Sequence, residues 1–136
     1  MKIPFYVNGG GSTDYEIESG TFTPSADTYT VNIPTKRTSL SEISNFFIVP
    51  EAISDSAYMT GKVESVCLMK KYFSDGRGVY TDYVAAQFTN SAADSSAKTN
   101  VLSVSGGNLT VNFGSGYISK QFSSKITYRY YIIHKK

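Results

Sequence analysis

From Asp14 onward, apolar and polar residues alternate over short stretches separated by turn residues. "DYEIESGTFT" sets Tyr15 and Ile17 against Glu16 and Glu18, the two-residue period of a strand. The turn residues "PSAD" follow. "TYTVNI" then sets Tyr29, Val31 and Ile33 on one face and Thr28, Thr30 and Asn32 on the other, and the two segments read as a hairpin. "PTKRTSLSEISN" breaks the alternation. It reads mostly as loop, with Ser39 or Ser41 placed to cap a helical turn through Glu42. "FFIVP" is an unbroken apolar run stopped by Pro50, which suits a strand buried on both faces.

"GKVESVCLMKKYF" fits two periods. Val63, Val66 and Met69 have helical spacing, while Val63, Cys67 and Met69 share a strand face. Gly61 before it and "SDGRG" after it favour a strand ending in a tight turn at Asp75-Gly76, with "VYTDYVAAQFT" as hairpin partner. "NSAADSSAKTN" reads as a polar loop. "VLSVSG", "NLTVNF", "GYISKQF" and "KITYRYYIIHK" complete the pattern, punctuated by Gly106-Gly107 and Gly114-Ser115-Gly116. Strands at intervals of about 8–12 residues predict an all-β fold, a single antiparallel β-sandwich of jelly-roll type.

In the closing strand Ile126, Tyr128, Tyr130 and Ile132 share the more apolar face and should enter the core. Thr127, Arg129, Tyr131 and Ile133 share the other. An exposed face carrying Tyr131 and Ile133 would be sticky unless covered. Arg129, Tyr131 and Ile133 are therefore expected at a subunit interface, in a trimer or similar ring.

At the other end "MKIPFYV" meets "NGGGST". Three consecutive glycines make a joint. Ile3, Phe5, Tyr6 and Val7 before it form either a frayed terminus or an arm that attaches to a partner by strand addition. Residues 1–13 are thus read as arm and joint, and 14–136 as the sandwich domain.

Composition narrows the chemistry. The chain has 136 residues, enough for one domain with its own core, and 18% are charged. Eleven Tyr, eight Phe and abundant Ser, Thr and Val favour strands. A net charge of +2 is too small to imply nucleic acid. The single Cys67 rules out an intramolecular disulfide, and its apolar neighbours suggest a buried, inert thiol. No stretch reads as a secretion signal or a membrane span, so synthesis in a cytoplasm and no membrane insertion are expected.

Catalytic patterns are sparse. His134 is the only histidine and reads as an exposed terminal imidazole. Asp75 and Asp82 could meet across their hairpin, as a solvated pair or as a glycosidase pair. No calcium loop or phosphate loop appears, and no cofactor is expected. "NLT" at Asn108 matches a glycosylation acceptor only by pattern. The tyrosines offer flat faces with a hydroxyl, suited to sugars or proteins. The loops "TKRTSLSEISN" and "NSAADSSAKTN" are the candidate binding loops, with Lys36, Arg37 and Tyr58 as candidate ligand contacts.

The stretches "GTFTPSADT", "NFFIVP" and "SSKITYRYYIIHK", with the Gly-rich joint, resemble small accessory virion proteins of tailed bacteriophages of Gram-positive hosts. These cover under half of the chain and carry no catalytic signature. The resemblance implies a non-enzymatic structural protein located in the virion and multimeric. It would be attached by the arm to other virion proteins and present loops for decoration or host adhesion, with host surface polysaccharide as a ligand. The rival readings are a carbohydrate-binding β-sandwich module and, third, a small β-rich hydrolase.

Overall fold

The computed structural model describes residues 14–55, 59–72 and 80–136. Its strands, in chain order, are β1 (Tyr15–Phe22), β2 (Thr30–Pro34), β3 (Ile43–Ile53), β4 (Val63–Tyr72), β5 (Tyr80–Phe88), β6 (Asp94–Ala97), β7 (Leu102–Ser105), β8 (Asn108–Asn112) and β9 (Ile126–Lys135). A 3-10 turn spans Leu40–Glu42, and α1 (Lys98–Val101) is one helical turn. The strands form two antiparallel sheets, ordered β1-β9-β3-β4-β5-β6 and β2-β8-β7.

The core lies between the sheets. Ile33, Leu109 and Val111 of the small sheet and Phe46, Ile48, Ile126 and Ile132 of the large one are fully buried in one apolar cluster. Its aromatic end joins segments far apart in sequence. Phe113 stacks on Phe122 (centroids 5.5 Å apart), Phe22 stacks on Tyr128 (5.1 Å), and Phe122 meets Tyr128 edge-on.

The all-β sandwich is as the alternation predicts. The jelly-roll detail does not describe the large sheet, where β3 to β6 follow one another as a meander. Several local expectations are also corrected. β1 and β2 are not a hairpin: β1 pairs with β9 and β2 with β8, in different sheets. Thr21 and Phe22 complete β1 instead of turning toward β2, so the chain crosses between the sheets at the predicted turn. Pro50 does not stop its strand, which runs on to Ile53 past a bulge at Glu51. Pro50 stays in register with Tyr128, beside the bulge and past Ile48, where the ladder to β4 has already ended, a position that tolerates proline. Nor is that strand buried on both faces, since Val49 is 37% exposed.

The ambiguous "GKVESVCLMKKYF" is a strand with a bulge at Glu64. The extra residue puts Val63 and Val66 both inward, three apart as on a helix, and turns Cys67 and Met69 outward, so Val63 does not share the strand face expected with them and Met69 does not continue a helical stripe. The expected polar loop "NSAADSSAKTN" contains β6 and α1. "GYISKQF" is not a regular strand: Phe122 is held by isolated bridges to Thr28 and Val63. The β4–β5 hairpin forms as expected, and its turn lies outside the described residues.

Candidate functional site

Strands β3 and β4 form ladder pairs at only two positions, Phe47 with Cys67 and Ile48 with Val66. This seam joins the two halves of the large sheet. Toward the start of β3 the strands part, and a cleft of about 620 Å³ opens between them. Ile43, Ser44 and Asn45 line one wall and Leu68, Met69 and Lys70 the other, with Ser41, Asp82 and Lys98 at the end.

Local sequence explains the opening. Ser44 is an extra residue against β9, since Ile43 pairs with His134 and Asn45 with Ile133. Such a bulge bends and twists its strand. Just before it, the predicted turn forms. Glu42 accepts the N–H groups of Thr38 (2.8 Å) and Ser39 (2.9 Å), which holds the 3-10 turn over the cleft. Asn45 Oδ1 accepts the N–H of Phe46 at 2.8 Å, so the first amide beyond the seam is held by a side chain.

The charge in the cleft centres on Asp82. Lys70 Nζ lies 2.8 Å from one carboxylate oxygen and Lys98 Nζ 3.6 Å from the other. The hydrogen bond from Lys70 holds the Asp82 carboxyl below its ordinary range, with the charges of both lysines adding to it. Lys98 is mostly buried and Lys70 mostly exposed. Asp82 is therefore an ion-pair partner of two lysines; Asp75 lies outside the described residues. A shallower hollow continues the cleft between Leu40, Ser41, Ala97, Lys98 and Thr99. The structure thus brings together the ends of the two polar stretches singled out as binding loops.

The individual residues singled out in those loops have other places. Lys36 is exposed. Arg37 is used within the fold: it lies 3.4 Å from both Glu18 and Glu42, tying the loop to β1 and to the 3-10 turn. Glu18 also accepts the Lys36 N–H (2.8 Å) and the Thr35 hydroxyl (3.0 Å). His134 corrects the expectation of an exposed imidazole. It is 3% exposed, on the core-side face of β9, with Nε2 3.7 Å from Glu18. Period two places residue 134 on the face of Ile132, and sheet pairing on both sides shields it. Tyr58 and the arm residues Ile3, Phe5, Tyr6 and Val7 lie outside the described residues.

The outer face of the large sheet is a second notable surface. Register sets Ser19, Tyr131, Phe47, Cys67, Ala85 and Ser95 in one row across all six strands. Ile17, Val49 and Met69 flank this row and are 44%, 37% and 45% exposed. Tyr131 is half-buried, and Arg129 pairs with Glu51 at 2.7 Å. Ile133 is different. At 4% exposure it is already buried within the single chain, so it is not a free contact for a neighbour. Cys67 is only half-buried, yet burial still pushes its thiol up, away from the reactive thiolate.

Lys70 and Lys98 escaped the sequence reading, which offered Asp82 a partner only in Asp75, because nothing in "MKKYF" or "SSAKTN" signals convergence. Only the β4–β5 register and α1 bring them together. Among the described residues, no group of three or more His, Cys, Asp or Glu could hold a metal ion, and no helix is long and apolar enough to cross a membrane. Comparison with protein-family models, curated proteins and solved structures finds no match to this chain.

Proposed function

We propose that this chain is a non-enzymatic structural and binding protein that works within an oligomeric particle, an accessory virion protein of the kind its sequence resembles. The observation that carries this reading is the apolar outer face of the large sheet, where half-exposed Ile17, Val49 and Met69 flank Phe47 and Tyr131. Contiguous apolar surface on a sheet marks an interaction site more often than a solvent face. The occupant assigned to it is a second copy of this chain. The face carries charges of both signs in Arg129 and Glu51, so a symmetric partner can set unlike charges opposite each other. Attachment to other virion proteins falls to the arm, residues 1–13.

Light scattering at micromolar concentration tests the assembly. Wild type should exceed the monomer mass, and Ile17→Asp or Met69→Asp should return it to the monomer with an unchanged melting temperature. A strictly monomeric wild type would reject the reading.

A second reading, binding of host surface polysaccharide, is favoured by Tyr117 and Tyr29, which are 73% and 45% exposed. Tyr29 accepts the Phe113 N–H at its carbonyl (2.9 Å), and Tyr117, four residues further along that segment, donates its N–H to Ser96 Oγ (2.8 Å). Stacking on such rings is how sugars are commonly held. Glycan binding lost in Tyr117→Ala would support it.

A further inference from the structure

We propose that the cleft at the β3–β4 seam binds an extended peptide strand carrying an acidic side chain. The first ground is the interrupted ladder. Continued past Phe47 and Cys67, the register would set Phe46 opposite Leu68, Asn45 opposite Met69 and Ser44 opposite Lys70. None of these pairs forms. Successive residues of a strand turn their N–H and C=O groups to opposite sides. Each wall therefore turns alternate main-chain groups toward the cleft, where the Phe46 N–H already has the Asn45 side chain and the remaining groups lack ladder partners across the seam. An extended peptide supplies them by strand addition.

The second ground is the lining. Met69 is 45% exposed and Leu68 half-buried beside it, which gives apolar contact for a strand's alternate side chains. Two lysines and one aspartate leave one positive charge in excess, which selects an acidic residue over a basic one. No aromatic side chain is among the described lining residues, so the platform that sugars stack on is missing here. The volume of about 620 Å³ is within the roughly 300–1,000 Å³ of small-ligand sites. Met69 also lies on the face assigned above to a second copy, so the peptide and that copy compete for it.

The test uses the whole chain and two peptides, acetyl-Thr-Val-Asp-Val-Thr-amide and its Asn counterpart, followed by amide hydrogen exchange and NMR titration. The acidic peptide should bind saturably and protect amides in residues 44–46 and 68–70. The Asn peptide should bind roughly fivefold more weakly, as expected for losing one partly exposed ion pair. Lys98→Gln should weaken the acidic peptide by a similar factor. Lys70→Gln, at a mostly exposed site, gives the same reading should Lys98→Gln unfold. Absence of saturable binding, or protection confined to the edge strands β1, β2, β6 and β7, overturns the proposal. So does chitotetraose protecting the seam amides where the peptide does not, since the site would then be a sugar site.

Discussion

The hydroxyl of Tyr128 donates to the carbonyl of Val63 at 2.6 Å, spanning the seam from β9, past β3, to β4. The same oxygen accepts the Ser123 N–H at 3.0 Å. The ladder between β3 and β4 has ended at that level, so a side chain does what backbone pairing does elsewhere. Tyr128→Phe leaves both groups buried without this partner and should cost about 1–3 kcal/mol, read by urea denaturation. Burial raises the Tyr128 pKa above its ordinary 10.0. A raised folded value means stability fully present below about pH 10 and lost as pH climbs toward the folded pKa. Melting temperature should therefore fall more steeply above about pH 10 in wild type than in Tyr128→Phe. Parallel curves would contradict this account.

Gly20 sits directly opposite Tyr130 in the β1–β9 ladder. A Cβ at position 20 would stand 2.6 Å from the Tyr130 hydroxyl oxygen and 2.9 Å from its ring. The glycine is there to let the aromatic ring lie against the backbone. Gly20→Ala should cost about 1–3 kcal/mol, the usual size for forcing extra volume into a packed site. The double variant Gly20→Ala, Tyr130→Leu should recover part of the loss. Equal stability of wild type and Gly20→Ala in denaturant would show that the ring moves aside freely.

Ile132 and Ile133 face opposite sides of the large sheet, and both are buried. Ile132→Ala removes a fully buried core side chain and should cost about 2–5 kcal/mol. Ile133→Asp puts a carboxylate where an apolar side chain is 4% exposed. It should lower the melting temperature of the single chain as well as affect assembly. Circular dichroism melts at a concentration where wild type is monomeric separate the two effects. An unchanged melt for Ile133→Asp would return this residue to the interface.

What the sequence determined by itself is the short-range pattern. Alternation over "TYTVNI" and "KITYRYYIIHK" specifies strands, because side chains on a strand point alternately to its two faces. Ser39 and Glu42 specify the capped turn, and Gly106 and Gly107, both at positive φ, the β7–β8 hairpin. These signals act over a few residues and need no partner. Partner choice is another matter. "ESGTFT" and "TYTVNI" carry equally good hairpin chemistry, yet β1 takes β9 and β2 takes β8, because that arrangement puts Phe22, Phe122 and Tyr128 into one aromatic core. Bulges at Ser44 and Glu64 leave no residue-type signature, but each flips the faces that follow it. The burial of His134, the parting of β3 from β4 and the meeting of Lys70, Asp82 and Lys98 all depend on register between strands distant in sequence. Tertiary packing decides that register, since free energy there depends on which faces are buried together rather than on any single strand's pattern.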